Sequence, residues 1–378
     1  MWLVGYLYNN NGMGTWCWEA AHALAAAGEQ VTLVCSPSVA LPGPTNLRIL
    51  RVAPPPRARS VAGKVIAELT QLSAHGPRVM REAVRELSTA GVPVTAVLLN
   101  ATEFFDPSLP CPQLVTAWAR GVTLREYLSR LGVQLRGVSR HSLRALLGTL
   151  GWWRKDWYAF RRAGVVLAVS APLRDELQAH GVRAELLHPC THSMSLAPRP
   201  RGAGLPVRLL SAAVSLDEPR KRIEWMLESL REWHATNCTL TLIGAPSARV
   251  RAVAGALDMP VQFTGVLSRD AVVERMREHD VFLFASVLDD WGYVITEAMS
   301  QGMAVVAPDL SPFDEILGDT GALYGAHDTS AFREAVDRVL VDAEGARHRS
   351  WERARREFSR ELFAARLFAV VAERFPHR

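Results

Sequence analysis

The segment Phe284–Pro308 reads FASVLDDWGYVITEAMSQGMAVVAP and is the part of the sequence that indicates the fold most directly. It begins inside one apolar run, Val281–Ala285, and ends in a second one, Ala304–Pro308. Both runs have the length and composition of buried strands, and the segment from about Tyr293 to Gly302 has the spacing of a helix. A strand, a helix and a second strand in this order are typical of a parallel sheet. The sequence therefore predicts a βαβ unit here.

The same alternation of short apolar runs and helical patterns extends over the whole chain, which predicts an α/β protein. The predicted strands of the first half are Trp2–Tyr8, Gln30–Cys35, Leu47–Val52, Val94–Leu99, Gln113–Ala117, Val165–Ser170 and Ala184–His188. Those of the second half, besides the two above, are Val207–Val214, Thr239–Ile243 and Val261–Phe263. These two series predict two doubly wound, Rossmann-like domains.

The chain has 378 residues, which is too many for one ordinary core and enough for two. The break between the two series falls in a segment that is rich in Pro, Gly and Arg and has no periodicity. We therefore expect an N-terminal domain over residues 1–195, a linker over 196–206, a C-terminal domain over 207–355 and a last helix over 356–378.

The composition excludes several classes of protein. Apolar residues make up 49% and charged residues 21% of the chain, which is typical of a globular protein and not of a disordered one. No apolar run approaches the roughly 18 residues that a membrane span needs. The five cysteines are scattered without a Cys-x-x-C pair, which argues against a disulfide framework and against a zinc site. We expect a cytoplasmic protein without a metal.

The charge is distributed unevenly. Residues 1–206 carry 22 Lys and Arg against 12 Asp and Glu, whereas the remainder is net acidic. An anionic partner of the first domain, either a phosphorylated acceptor or the inner face of a membrane, would explain this, and so would a solvated basic surface. Trp153, Trp157 and Phe160 fall at helical spacing, which predicts a buried stripe, with a membrane-facing one as the alternative. No RNA-binding motif accompanies the charge, so we expect no nucleic-acid partner.

The loop and helix inside Phe284–Pro308 carry the chemistry. Gly292 allows the backbone to approach a ligand closely, and the N–H groups of Tyr293 and Val294 form a ready anion site at the start of the helix. Glu297 lies just over one turn later, where its carboxylate can accept two hydroxyl donors. This arrangement predicts a diphosphate at the helix start and a ribose diol on Glu297. Alternatively, Glu297 pairs locally, and Asp289 is a solvated loop acid.

An acid, seven residues and then Glu-Ala-Met, followed by Gly-x-x-Val-Val, closely resemble the E-x7-E segment of family-4 glycosyltransferases of the GT-B fold. The acidic pair here is Asp289 and Glu297. Further segments resemble that family in the same order, namely Asn11–Gly14, Gly28–Val31, Val166–Gly181, His188–Thr191, Val261–Gly265, Glu278–Phe284 and Ser311–Leu317. Only residues 41–150 match poorly, where such enzymes vary with their acceptor.

The resemblance implies two Rossmann-like domains facing across a cleft, with a C-terminal helix crossing back to the first domain. It implies transfer of a sugar from a nucleotide-diphosphate sugar, UDP- or GDP-linked, to a saccharide, lipid-linked or small-molecule acceptor. In such enzymes the anomeric configuration is retained and no metal or cofactor is needed. It also implies roles for individual residues: Lys221, Arg220, Gly292, Tyr293 and Val294 on the diphosphate, Glu297 on the ribose, Asp289 on the donor sugar, and Gly12 and Gly14 in a loop over the phosphates.

Three departures from the family pattern bear on catalysis. Ser215 stands where the family has a phosphate-binding Arg, and either Arg220 or Arg222 is a candidate to replace it. Asp289 is one methylene shorter than the Glu of the family. Where the family often has a His near the donor sugar, this chain has Trp118. The acceptor-side candidates are Trp118, Arg120 and His192.

Two other functions remain open at this point. A non-catalytic, nucleotide-sugar-binding partner or regulator is supported by Ser215 and Trp118, whereas the intact Lys221 and Glu297 argue against it. A sugar-nucleotide isomerase would need a set of acids, bases and histidines that the sequence does not contain.

Overall fold

The structure is a computed structural model. It describes residues 1–7, 12–41, 45–53, 75–118, 150–151, 153–191, 197–198, 202, 204–234 and 237–375. Among the helices in these ranges, none has both the length and the apolar character that crossing a bilayer requires. The chain forms two compact units, of which the first comprises Met1–Cys190 with Arg360–Arg378 and the second comprises Thr191–Ser359.

The described part of the first unit contains a seven-stranded sheet in which all neighbouring strands are parallel. Its strands are β1 Trp2–Leu7, β2 Val31–Cys35, β3 Arg48–Arg51, β4 Ala96–Leu99, β5 Gln113–Ala117, β6 Val165–Ala168 and β7 Ala184–Leu186, in the order β3-β2-β1-β4-β5-β6-β7. Every residue of β1, β2, β4, β5 and β6 is buried, so both faces of the sheet are covered, which explains why these strands are continuous apolar runs.

In the described part of this unit, the helices α1 Gly12–Ala26, α2 His75–Thr89 and α3 Ala171–Ala179 lie between strands. Residues 153–160 are also helical. The aromatic stripe on this segment is half-buried and therefore not part of the core. Trp157 contacts Phe160 and His180, and the Arg161 guanidinium lies 5.2 Å from the centre of its ring.

The described part of the second unit contains a six-stranded parallel sheet. Its strands are β8 Val207–Ser215, β9 Cys238–Ala245, β10 Val261–Gly265, β11 Val281–Leu283, β12 Ala304–Pro308 and β13 Ala322–Tyr324, in the order β10-β9-β8-β11-β12-β13. Its helices are α4 Ile223–Leu230, α5 Ala248–Ala254, α6 Arg269–Arg277, α7 Tyr293–Ser300, α8 Phe313–Leu317, α9 Thr329–Val341 and α10 Ala343–Phe358.

The three-residue strand β13 was not predicted. It pairs with β12, with Val306 opposite Ala322 and Pro308 opposite Tyr324. Its Tyr324 is buried against Trp225, with the two rings nearly parallel and their centres 5.9 Å apart. Pairing and burial in the folded chain define this strand, because a run of three residues shows no periodicity of its own.

The last helix, α11 Arg360–Arg374, belongs to the first unit and packs on α1. Phe363 meets Trp16 edge-on at 6.2 Å between ring centres, and Phe368 contacts Trp2. Arg360 donates to the carboxylate of Glu19, which is fully buried. Two Rossmann-like α/β domains are thus confirmed, and the return of the last helix to the first unit agrees with the predicted fold.

Candidate functional site

The predicted donor-side residues of the second unit lie on two segments that follow neighbouring strands. β8 ends at Ser215, and β11 ends at Leu283. The two strands pair in parallel, with Leu209 opposite Val281. Because their carboxyl ends share one edge of the sheet, the segments that follow start side by side. Ligands of doubly wound sheets bind at this edge.

The segment after β8 turns sharply before α4. Pro219–Lys221 form a 3-10 turn, and Arg222 follows with φ 52° and ψ 34°, in the left-handed region. The Arg222 side chain donates to the carbonyl of Ala326, and its guanidinium lies 4.0 Å from the centre of the Trp225 ring. Of the two arginines that could replace the missing one, Arg222 is therefore engaged elsewhere.

Arg220 and Lys221 instead meet the loop after β11. The Lys221 Nζ lies 2.6 Å from Oδ2 of Asp289, and the Arg220 Nη1 lies 3.5 Å from the same oxygen and 3.3 Å from the carbonyl of Leu288. The side chains of Lys221 and Asp289 are 15% and 23% exposed. The structure thus brings together the predicted phosphate-binding cation and the predicted sugar-binding acid. Ser215 is exposed at the end of β8.

Gly292 is required at the start of α7. Its φ of 79° and ψ of 49° are left-handed, and a Cβ there would lie 3.2 Å from Ile295 Cδ1 and 3.4 Å from the Phe313 ring. Tyr293 and Val294 are the first two residues of the helix, where backbone N–H groups lie beyond the reach of carbonyls within the helix. The positive end of α7 therefore lies next to the loop that holds Asp289.

Glu297 lies one turn into α7 and is held by Arg269, the first residue of α6. The Nε and Nη2 of Arg269 donate to Oε1 of Glu297 at 3.2 and 3.0 Å. The two side chains are 21% and 12% exposed. Arg269 was not among the residues predicted from the sequence, because it is 28 positions away from its partner Glu297. Its place just after the strand β10, at the ligand-binding edge of the sheet, is the signal that could have identified it.

In the first unit the glycines differ from expectation. The helix α1 begins at Gly12, so Gly12 and Gly14 lie in its first turn and not in the predicted loop. An N-terminal turn of a helix still allows close approach to an anion.

The acceptor-side candidates have different outcomes. Trp118 directly follows β5 and is only 8% exposed. Its Nε1 donates to the carbonyl of Asn100 at 2.6 Å, and its ring meets Trp16 edge-on. Its assignment to the acceptor therefore rests on its position after the strand alone. Arg120 and His192 lie outside the described residues.

Comparison with known proteins finds a family model that matches part of the chain. Residues 207–342 match the family model described as glycosyl transferases group 1. The phosphatidyl-myo-inositol mannosyltransferase of Mycobacterium leprae (strain TN) is 32% identical over 157 residues, which are 39% of this chain and 41% of that protein. The sulfoquinovosyl transferase SQD2 of Arabidopsis thaliana is 28% identical over 221 residues, 51% of this chain and 41% of that one. The chain thus spans 41% of the length of each of these relatives.

A solved structure resembles the whole chain. The sucrose-phosphate synthase from Thermosynechococcus elongatus aligns with a TM-score of 0.67 at 18% identity, over 100% of this chain and 99% of that chain. At this identity the likeness concerns the fold. The chain therefore has the GT-B fold, and its residues 207–342 are similar to the group 1 glycosyl transferases.

Proposed function

We propose that this protein transfers a hexosyl group from a UDP- or GDP-linked sugar to an acceptor hydroxyl with retention of anomeric configuration. The observation that carries the proposal is the contact of Lys221 with Asp289 beside the start of α7. A cation and a helix N-terminus at one sheet edge suit the negatively charged diphosphate of such a donor. The acid beside them suits the hydroxyl groups of the donor sugar.

In this scheme the diphosphate lies at the start of α7, against the N–H groups of Tyr293 and Val294 and the side chains of Lys221 and Arg220. Negative charge grows on the β-phosphate oxygen as its bond to the anomeric carbon breaks, and the Lys221 ammonium stabilises that charge. The acceptor oxygen forms the new bond on the same face of the sugar. The proton of the acceptor passes to the departing phosphate oxygen, so no separate general base is required.

Asp289 and Glu297 would bind hydroxyl groups. Once the phosphates attract Lys221, the Asp289 carboxylate is released and accepts hydrogen bonds from the donor sugar. Glu297 accepts the ribose hydroxyls. Because Asp289 is shorter than the glutamate of the family, we propose that the donor sugar lies closer to the loop after β11.

We propose a reaction that needs neither a metal nor a cofactor. Lys221 and Arg220 bring two positive charges to the position of the diphosphate, and the helix N-terminus adds a partial charge. Turnover that is unchanged after treatment with EDTA would support this proposal, and turnover restored only by a divalent cation would contradict it.

Relatives guide the choice of donors and acceptors to test. The names of the two relatives specify a mannosyl and a sulfoquinovosyl group, and one name specifies phosphatidyl-myo-inositol. We therefore propose to include GDP-mannose and UDP-linked sugars as donors, and a phosphorylated lipid-linked polyol among the acceptors. A saccharide and a small metabolite complete the acceptor set. A basic first domain would also suit peripheral contact with a membrane.

The test is a thermal-shift panel with UDP-, GDP-, ADP- and dTDP-sugars on the wild type and on Glu297→Ala. A donor at 100 times its Kd should stabilise the protein by about 2.7 kcal/mol, or a few degrees. We expect a shift with one nucleotide class, lost in Glu297→Ala. Glu274→Ala, which removes an exposed acid of α6, is the matched control and should shift like the wild type.

Release of the nucleoside diphosphate from the stabilising donor then separates an enzyme from a non-catalytic binding protein. A wild type that no donor stabilises would contradict the whole proposal. A wild type that is stabilised but releases no nucleotide with any acceptor would favour the non-catalytic partner.

A further inference from the structure

We propose that Arg269 is a positioning residue of the nucleotide site, which holds the Glu297 carboxylate in the orientation that binds the ribose diol. The inference rests on the proposed function, because it assumes that Glu297 meets a ribose. It concerns a residue that lies outside the acid-x7-Glu segment and belongs to a different helix.

The geometry of the Arg269–Glu297 pair is that of a contact that orients the carboxylate. Two N–H groups on one edge of the guanidinium converge on the same oxygen, Oε1, at 3.2 and 3.0 Å. The guanidinium is planar and rigid, so two bonds from one edge fix the plane in which the carboxylate oxygen lies. A glutamate side chain alone has three rotatable bonds. Arg269 therefore restricts the positions that the carboxylate of Glu297 can take.

Arg269 itself is held in place by its backbone. It starts α6 directly after Ser268, whose hydroxyl accepts the N–H of Ala271 at 3.3 Å and caps the helix. Both members of the Arg269–Glu297 pair are mostly buried, so water screens their attraction less than it screens a surface ion pair. The contact joins α6 to α7 at a defined distance.

The charge of the pair also suits a diphosphate nearby. Asp289 and Glu297 are two acids next to the proposed position of the phosphates, and each would repel them. Lys221 and Arg220 meet Asp289, and Arg269 meets Glu297. With Arg269 present, the ribose therefore binds to a carboxylate whose charge is already balanced.

The experiment is a thermodynamic cycle that combines variants of the protein with nucleotides that lack one ribose hydroxyl. Titration calorimetry measures the Kd of each combination. The probes are UDP and GDP, and the 2′-deoxy and 3′-deoxy forms of each. The variants are Arg269→Ala, Arg269→Lys, Arg269→Gln and Glu297→Gln. Arg275→Ala is the matched control, since Arg275 lies on the same helix and pairs with Glu278 at the surface.

We expect the wild type to bind one of the two nucleotides about tenfold more tightly than its deoxy forms, the loss typical of a hydrogen bond to a charged group. In Arg269→Ala the affinity for the nucleotide should fall about tenfold, and the affinity for the deoxy forms should hardly change. The preference for the ribose hydroxyls is then lost, as in Glu297→Gln. Arg275→Ala should keep it.

The outcomes separate the two proposals. If all folded Arg269 variants keep the wild-type preference for the ribose hydroxyls while Glu297→Gln loses it, the role of Arg269 is wrong and the proposed function stands. If the wild type binds neither nucleotide, the proposed function fails and this inference fails with it. A variant that is unfolded by thermal melting is replaced by Arg269→Lys or Arg269→Gln, which keep most of the side-chain volume.

Discussion

The two sheets differ in the polar contacts that follow the carboxyl ends of their strands. In the second unit, Lys221 with Asp289 and Arg269 with Glu297 are partly exposed ion pairs between different elements. Among the described residues of the first unit, the groups after β4 and β5 point inward. The Asn100 Oδ1 accepts the N–H of Tyr6, and its carbonyl accepts the indole of Trp118.

The contrast between the two units indicates which contacts a ligand can change. In a partly exposed ion pair a ligand can replace one partner, as the phosphates would replace Asp289 on Lys221, or it can bind beside the partner, as a ribose hydroxyl would bind Glu297 beside Arg269. A fully buried group cannot be released without a large desolvation cost. The fully buried Glu19, held by Arg360, is the extreme case in the first unit. Four predictions test this contrast.

Arg360→Ala should have the largest effect, on stability. It leaves the Glu19 carboxylate, which is fully buried, without its guanidinium partner. Removing one member of a buried pair costs about 3–5 kcal/mol of unfolding free energy. Chemical denaturation would measure the loss. Arg374→Ala is the control: Arg374 lies on the same helix as Arg360 and pairs with Glu185 of β7 near the surface, so its loss should cost under about 1 kcal/mol. Equal losses would contradict the contrast.

Lys221→Ala should affect activity and hardly affect stability. Under the proposed function Lys221 stabilises the leaving group, so its loss should lower turnover about 10²–10³-fold. The unfolding free energy should change by less than about 1 kcal/mol, because Asp289 is 23% exposed and water can reach it. Donor turnover and denaturation are measured on the same preparation. Arg249→Ala, whose pair with Glu224 lies at the surface, should leave both unchanged.

Trp118→Phe tests whether the inward groups of the first unit serve structure alone. It removes the N–H that donates to Asn100 at 2.6 Å and keeps an aromatic ring against Trp16. We expect a loss of about 1 kcal/mol in unfolding free energy, the net value of one hydrogen bond, and an unchanged KM for the acceptor. A raised KM at unchanged stability would make this edge a ligand site as well.

The smallest expected effect is on the pH dependence of stability. Burial lowers the pKa of His279, whose Nε2 contacts the Thr241 hydroxyl at 2.8 Å inside the second unit. The unfolded chain therefore takes up the proton first, at its ordinary pKa of about 6.5, so stability should decrease as the pH falls below that value. Denaturation curves recorded between about pH 7.5 and 5.5 give the unfolding free energy at each pH. His279→Gln should remove the contribution of this histidine to the decrease in unfolding free energy. If the unfolding free energy of His279→Gln decreases with pH as much as that of the wild type, other groups cause the decrease.

The sequence predicted most of the fold because buried parallel strands are continuous apolar runs. All seven strands of the first sheet and five of the second were predicted. The missing one, Ala322–Tyr324, is too short for a pattern and becomes a strand only through its pairing with β12. The start of α1 was placed too late, because glycines in a first helical turn have the composition of a loop.

The candidate site was predicted as a set of residues but not as a set of contacts. The position of Gly292 before α7 follows from local sequence, and the structure confirms it. The choice of Arg220 over Arg222 depends on a left-handed backbone at an arginine, which no local pattern predicts. Arg269 was missed because its sequence, after a capping serine, is that of an ordinary solvated helix start.

Under the proposed function, the glycine before α7 also sets a limit on laboratory evolution of donor choice. Every single-nucleotide change of a glycine codon that alters the residue either adds a Cβ or stops the chain. At position 292 a Cβ meets Ile295 and Phe313 and has an unfavourable φ, so we expect each such change to destabilise the start of α7. Three positions earlier, Asp289 is free of this restriction, because its backbone φ is not in the left-handed region. A selection for new sugars would therefore change position 289 and leave position 292 as it is.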